Sequence, residues 1–297
     1  MPTALGSERT PYPQPPLGAP VRVAFLGPAA TSSAHALHQA VPELSPSFID
    51  VRADADPLLL RAALSDAAPH VVIAFAPEAL PPGALAGLRA ATLAVVAAEA
   101  PPPDGYDRVL RTPGSDAHGA WRSRPLPIDD RLYAEVGPTR SPPRALCVGR
   151  STAHREWLLT PVKHAHDVVH YAHGLVGAAF VRVLAAADVG IALHAEPSPG
   201  FPSQALLHLA AGHLLLAERL TPLCGLEPGI DFLQIDSREG LETLLYQLRL
   251  RPDAYERVRV RGRLKAEGHR ASRVWPRIVG DLLHDLRVFG TARMVHA

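Results

Sequence analysis

Two runs of apolar residues that end in glycine decide the fold: Val21-Arg-Val-Ala-Phe-Leu-Gly27 and Arg144-Ala-Leu-Cys-Val-Gly149. Each run is short and nearly continuous in its hydrophobicity, which is typical of a strand buried on both faces of a sheet. A loop and a helix-forming segment follow each run, and further strands and helices then alternate along the chain. This alternation predicts an α/β protein with two consecutive units, each built on a parallel sheet.

Strands of the first unit are predicted at residues 21–27, 47–51, 70–75, 93–97 and 106–111. Its helices are predicted at 34–41, 56–67 and 83–90. Ser32 or Ser33 is the expected N-cap of the first helix, and Asp56-Pro57 is expected to open the second. Strands of the second unit are predicted at 144–148, 167–171, 188–193 and 213–217, and its helices at 152–159, 176–186, 203–211, 239–250, 253–266 and 271–286. Pro276 lies in the last helix, where a proline predicts a kink.

The composition excludes several classes of protein. The chain has 297 residues, enough for two domains, and its 30 basic and 29 acidic residues argue against binding nucleic acid through bulk charge. No uncharged apolar run reaches the roughly 18 residues of a membrane span. The two cysteines, Cys147 and Cys224, form no disulfide framework, which favours a reduced, cytoplasmic protein. The proline-rich residues 1–20 are predicted to be disordered or extended, and they lack the pattern of a secretory signal.

The predicted domain boundary lies at the segment Gly137-Pro-Thr-Arg-Ser-Pro-Pro143, which interrupts the alternation of strands and helices. The sequence therefore predicts a first domain at 21–140, a second at 141–276 and a final helical segment at 277–297. Ligands of parallel α/β sheets bind at the carboxyl ends of the strands, so the cleft between the two units is the expected site.

From Ala187 onward the sequence resembles the C-terminal domain of GT-B glycosyltransferases, especially their spore-maturation-type branch. The resemblance rests on an ordered series of short segments: Ala187-Asp-Val-Gly190, Gly200-Phe-Pro202, the helix Ser203-Gln-Ala-Leu-Leu-His-Leu-Ala-Ala-Gly212, Gly225-Leu-Glu-Pro-Gly-Ile-Asp231 and His269-Arg-Ala-Ser272. Segments near Tyr106-Asp-Arg-Val109 and Trp121 extend it over roughly residues 106–286. The resemblance implies two Rossmann-like domains facing a cleft, with the last helix crossing back to the first domain. It also implies transfer of a sugar from a nucleotide-sugar to an acceptor hydroxyl.

The loop before the predicted helix at 203–211 is the main candidate for binding the donor, because free backbone N–H groups at a helix N-terminus suit a diphosphate. An ordinary helix-capping turn is the alternative. The resemblance further implies that basic residues neutralise the leaving diphosphate and that a glycine-containing turn approaches the base. The candidate donor residues are Arg150, Arg155, His173, Gly174, Glu196, Gly200, Phe201, Pro202, Ser203 and Gln204. Three positions depart from the family: Leu207 and Pro199 stand where many relatives carry glutamate, and Gln204 stands where a basic residue is common.

His35 is a candidate catalytic base, because some inverting relatives use a histidine in this region to deprotonate the acceptor. Asp116 and His118 are alternatives, and an ordinary surface histidine is the simpler interpretation of His35.

The run His164, His166, His170 and His173 lacks an accompanying ligand set, so no metal site is predicted. No cofactor is expected either, because the nucleotide-diphosphate sugar is a substrate. The acceptor is a small molecule or a glycan.

Two other functions stay open at this point. A catalytically degenerate relative could keep the fold as a binding or partner module, which the two missing glutamates favour. An epimerase of the same architecture is a further option, but it needs several converging carboxylates. Oxidoreductases and kinases are disfavoured, because Gly27 lacks the partner glycines of a dinucleotide fingerprint and no phosphate-binding Gly-x4-Gly-Lys occurs. The sequence does not specify an oligomeric state.

Overall fold

The computed structural model describes residues 15–51, 55–114, 122–198 and 200–290, and these form two parallel sheets covered by helices. The first sheet has the order β2-β1-β3-β4-β5-β6. Its strands are β1 (Val21–Gly27), β2 (Leu44–Asp50), β3 (Val71–Phe75), β4 (Ala91–Val96), β5 (Arg108–Arg111) and β6 (Arg122–Ser123). Helices α1 (Ala29–His35) and α2 (Pro57–Ala67) connect the first three strands in sequence. We call this sheet and the helices packed on it the first half.

The second sheet has the order β11-β10-β9-β7-β8. Its strands are β7 (Ala145–Val148), β8 (Val168–Tyr171), β9 (Val189–Ala192), β10 (Leu214–Ala217) and β11 (Leu233–Gln234). The helices are α3 (Ala153–Ala165), α4 (Gly177–Ala185), α5 (Gln204–Ala210), α6 (Arg238–Leu250) and α7 (Glu256–Ala266). This sheet and these helices form the second half, and the predicted α/β class with two Rossmann-like units is confirmed.

The last helix, α8 (Ala271–Phe289), packs on the first sheet rather than the second, as the resemblance implied. Trp275 is fully buried there, with its ring edge-on to Phe25 and Phe75 at centroid distances of 5.2 and 6.0 Å. The packing begins at Ala271, at the very start of the helix. The helix continues through Pro276 to Phe289.

Two chain segments cross between the halves side by side. Ile128 and Arg270 form an isolated parallel bridge, and the Asp130 carboxylate accepts hydrogen bonds from the Ser272 N–H at 2.9 Å and from its Oγ at 2.7 Å. A separate contact joins the halves directly, because the Gly177 N–H donates to Ser33 Oγ at 3.1 Å. This last bond fixes α1 against the start of α4.

Two expectations for the first half are wrong. The first helix spans Ala29–His35 instead of 34–41, and Ser32 and Ser33 lie inside it instead of capping it. Both serines are buried and bond elsewhere, Ser32 Oγ to the Ala29 carbonyl and Ser33 Oγ to Gly177. No helix forms at 83–90, because Gly83 and Gly87 adopt positive φ angles of +71° and +76° in consecutive turns. The two-residue strands β6 and β11 are not predicted by the sequence.

The caps explain why several other helices start where the sequence predicts. Asp56 accepts the Leu58 N–H at 2.8 Å before α2, Thr152 accepts the Arg155 N–H at 3.3 Å before α3, and Ser237 accepts the Gly240 N–H at 3.0 Å before α6. Within the described residues, no helix has the length and apolar composition to cross a bilayer.

Candidate functional site

A cavity of about 270 Å³ lies between the two halves, at the carboxyl ends of β7 and β8 and beside α1. The first half contributes its wall of Ala30, Thr31, Ala34, His35 and Leu126. The second half contributes Val148, Gly149, Tyr171, Ala172, His173, Gly174, Leu175, Phe180, Ser203, Gln204 and Leu207. Five residues predicted by the sequence therefore share one cavity: His35, His173, Gly174, Ser203 and Gln204.

The polar end of the cavity is built around Gly149, which follows β7 with a φ angle of +127°. A Cβ atom at this position would lie 2.7 Å from Nη1 of Arg155 and 3.1 Å from Nε2 of Gln204. The glycine thus leaves room for two N–H-bearing groups to approach the backbone of this turn. Ser203, which precedes α5, lines the same cavity, and its hydroxyl caps no backbone N–H of that helix.

Arg155 is buried beneath this end of the cavity, and the carbonyls around it hold its guanidinium in place. Its Nε donates to the Leu193 and His194 carbonyls at 3.2 and 3.1 Å, and its Nη2 donates to Leu193 at 2.9 Å. Its Nη1 donates to the Arg150 carbonyl at 2.8 Å. Arg155 therefore ties the end of β9 to the turn after β7, and it places a fixed positive charge beside Gly149. The Arg150 side chain is exposed at the same turn.

His170 supports the same turn from the other side. Its Nε2 donates to the Gly149 carbonyl at 2.7 Å, and its Nδ1 lies 3.3 Å from Nζ of Lys163. Lys163 also donates to Glu156 at 2.9 Å. Hydrogen bonds from Ser151 and Lys163 lower the pKa of Glu156 to about 2, so this carboxylate is ionised at neutral pH. Among the described residues, no three His, Cys, Asp or Glu side chains are grouped to hold a metal ion.

His35 forms part of the first-half wall as a neutral imidazole. Burial lowers its pKa to about 4, although a hydrogen bond to the Pro127 carbonyl opposes that shift. Because that carbonyl lies 2.9 Å from Nδ1 and can only accept, the proton resides on Nδ1 and the lone pair on Nε2. No described residue forms a hydrogen bond with Nε2. Trp275 of α8 holds the backbone here, because its Nε1 donates to the His35 carbonyl at 2.8 Å.

Other predicted site residues do not line this cavity. Phe201 is 8% exposed, and its ring packs in the core of the second half because an aromatic side chain gains most from burial there. Gly200 and Pro202 belong to the chain entering α5, and the Gly200 carbonyl accepts the Thr221 N–H. Glu196 is exposed in the loop after β9. Asp116, His118 and Pro199 lie outside the described residues.

Gly149, Thr31 and Leu126 also line the cavity but were not among the predicted site residues, whereas Leu207 was singled out as a departure from the family. A signal was present for Gly149, because ligands of parallel sheets bind at the carboxyl ends of strands, where a glycine allows close approach to the backbone. For Leu126 no local pattern distinguishes a cavity wall from core. It reaches the cavity only because the two halves pack together.

Solved glycosyltransferases have the same overall architecture. The chain is similar to HepE from Anabaena in complex with UDP and glucose, with a TM-score of 0.55, 10% identity and coverage of 90% of this chain and 100% of that chain. It is similar to sucrose-phosphate synthase from Thermosynechococcus elongatus, with a TM-score of 0.53, 10% identity and coverage of 91% of this chain and 100% of that chain. For AviGT4, a glycosyltransferase involved in avilamycin A biosynthesis, the TM-score is 0.51 and the identity 13%, with coverage of 91% of this chain and 98% of that chain. The chain therefore has the GT-B glycosyltransferase fold.

No protein-family model and no curated protein matches the sequence. At sequence identities near 10%, this structural similarity shows a common fold and no more, and one fold can carry many chemistries. The chemistry of this protein therefore depends on the residues around the cavity.

Proposed function

We propose that this protein is a glycosyltransferase that moves a sugar from a nucleoside-diphosphate sugar to an acceptor hydroxyl in the cavity between the halves. The observation that carries the proposal is the convergence of the buried Arg155 Nη1 and the Gln204 amide on Gly149, which lines a cavity whose opposite wall holds His35. HepE, which shares the fold, binds UDP and glucose in its solved complex. The donor is a substrate, and the proposed reaction uses no cofactor and no metal.

A diphosphate is the ligand that this polar end suits best. The departing nucleoside diphosphate gains negative charge as the bond to the sugar breaks, and a positive group that is already oriented stabilises that charge without reorganising. Arg155 is such a group, because three backbone carbonyls fix its guanidinium. The exposed Arg150 can approach the same phosphates from the solvent side.

His35 is the proposed general base. Its Nε2 carries the lone pair and can accept the proton of the acceptor hydroxyl while the acceptor oxygen bonds to the anomeric carbon. The electron pair of the broken sugar–oxygen bond leaves with the diphosphate. Thr31, one helical turn before His35 on the same wall, can orient the acceptor by hydrogen bonding.

Calorimetric titration with UDP, GDP and ADP and with the matching nucleosides tests the donor site. We expect at least one diphosphate to bind, and Gly149→Ala to weaken it by about 10-fold or more, because the new Cβ clashes with Arg155. Gly229→Ala is the matched control, since Gly229 also has a positive φ of +77° but nothing lies within 4 Å of its Cβ position. Equal losses in both variants, or no binding of any diphosphate to the unaltered protein, would contradict the proposal.

Arg150→Ala separates phosphate recognition from base recognition. We expect this variant to bind the diphosphate more weakly while its affinity for the corresponding nucleoside stays within about twofold, because the arginine is proposed to contact only phosphate. Equal losses for the two ligands would refute the role of Arg150.

A second candidate, binding without transfer, is favoured by Leu207. This leucine lines the cavity at the position where many GT-B enzymes carry a glutamate that pairs with the ribose. The two candidates differ in turnover: a transferase releases free diphosphate from its donor when acceptors are supplied, whereas a binding module returns the donor intact. Mass spectrometry of nucleotide-sugar mixtures incubated with the protein and a panel of acceptors distinguishes them.

A further inference from the structure

A second cavity, of about 210 Å³, lies in the second half, along the side of the sheet that ends at β8. β8 is an edge strand that pairs only with β7, and α4 covers this face incompletely. The floor is apolar and includes Leu146, Val169 and Val183. Both valines are only half-buried, so the protein itself leaves part of this apolar surface exposed to water.

Small side chains create the space. Ala179 and Ala186, on α4 and at its C-cap, line the cavity together with Ala145 of β7. Tyr171 lines both this cavity and the one between the halves, so its side chain lies at the boundary of the two spaces. We call this second space the β8 groove.

The charged residues around the β8 groove are arginines. Arg144 and Arg182 line it, and Arg140 lies close by, with its Nη2 3.4 Å from the Ala185 carbonyl. Two carboxylates in this region are already paired: Asp167 with Arg144 at 2.9 Å and Asp188 with Arg140 at 3.0 Å. Arg182 is exposed, and no described residue forms an ion pair or side-chain hydrogen bond with it. The groove therefore combines an apolar floor with a positive charge that no neighbouring carboxylate neutralises.

We propose that the β8 groove is a separate binding site for a small amphipathic anion, a carboxylate on a short apolar chain. The carboxylate would pair with Arg182, and with the free Nη groups of Arg144, while the chain would lie on Leu146, Val169 and Val183. An unbranched aliphatic acid fits this arrangement better than a nucleotide, because the floor offers apolar contacts instead of partners for sugar hydroxyls. This site is independent of the proposed donor site.

Calorimetric titration with decanoate and with decylamine tests the proposal, because the two probes have aliphatic chains of the same length and carry opposite charges. We expect decanoate to bind one site and decylamine to bind at least about 10-fold more weakly, since a charged hydrogen-bonded pair is replaced by repulsion. Arg182→Glu should weaken decanoate by about 10-fold or more, while Arg182→Lys should weaken it less, because lysine keeps the charge but lacks the planar fork. Arg257→Glu, on the exposed side of α7, is the matched control and should leave decanoate binding unchanged.

Two further measurements locate the site. Ala179→Leu should abolish decanoate binding by filling the groove, and circular dichroism checks that this variant stays folded. A saturating concentration of whichever nucleoside diphosphate binds best should not displace decanoate, because the two ligands occupy different cavities. Equal binding of decylamine, undiminished binding of decanoate to Arg182→Glu, or displacement by the diphosphate would each overturn the proposal.

Discussion

At the scale of single residues, His35 combines burial, a fixed tautomer and a place on the cavity wall. We predict that His35→Gln lowers turnover by about 100-fold or more, the usual contribution of a general base, while the affinity for the nucleoside diphosphate stays within about twofold. Steady-state kinetics combined with calorimetry checks both quantities. His38→Gln is the matched control, because His38 bonds to the Ser32 carbonyl and does not line the cavity.

The pH dependence of the same residue gives a second prediction. Burial lowers the pKa of His35 to about 4, so the free imidazole is the dominant form throughout the neutral range. We therefore expect kcat/KM to stay level on its acidic side until the pH falls towards about 4, provided that the protein remains folded. An acidic limb centred near 6.5, the ordinary histidine value, would contradict this prediction.

At the scale of elements, close packing of α5 on β9 depends on Gly190. A Cβ at Gly190 would lie 2.3 Å from Cγ of His208, which is fully buried on α5. We predict that Gly190→Ala destabilises the protein by about 3 kcal/mol or more, because neither the strand nor the imidazole has room to move. Urea unfolding followed by circular dichroism measures the change.

Gly240→Ala is the control for that experiment. Gly240 lies in the first turn of α6, and only Ser237 Oγ, at 3.5 Å, is near its Cβ position. Alanine is a better helix former, so this variant should be unchanged or more stable by up to about 1 kcal/mol. A similar loss of stability in both variants would show that the packing of His208 against β9 is not the cause.

At the scale of the whole molecule, buried histidines should make the fold sensitive to acid. Burial lowers the pKa of His35 and of His213 to about 4, and it lowers that of His208 well below the ordinary value. His208 and His213 meet at 3.0 Å between their Nδ1 atoms, and His213 Nε2 donates to the Leu184 carbonyl at 2.9 Å. Their protonation would place two positive charges in the core.

The sign of the effect follows from proton uptake. Between about pH 6.5 and pH 4 the unfolded chain binds protons at these histidines and the folded chain does not, so the free energy of unfolding falls as the pH falls. As the pH falls across this window, His35 and His213 each lower the free energy of unfolding by about 3 kcal/mol. Above the window nothing is lost. We predict that His213→Gln reduces the pH slope measured by urea unfolding, whereas His164→Gln, at an exposed position, leaves it unchanged.

The sequence by itself determined the features that depend on neighbouring residues. Buried parallel strands appear as apolar runs, the Asp56-Pro57 start of α2 follows from local capping, and the apolar run of β7 ends at Gly149. The ordered motifs after Ala187 were enough to predict the GT-B fold. At the site, the helix-capping region of Ser203 and Gln204 and the turn of His173 and Gly174 were also predicted, and these residues do line the cavity.

Only the tertiary structure decided where the remaining site residues go, because their environments come from distant parts of the chain. His35 is buried by Pro127, 92 residues away, and by Trp275, 240 residues away, and no local pattern carries that information. The same holds for Phe201, whose ring is buried in the core of the second half instead of lining the cavity. It holds also for α1, which is fixed by the hydrogen bond between Ser33 and Gly177. Local patterns specify strands, helices and turns, whereas a cavity between two halves exists only after long-range packing brings its walls together.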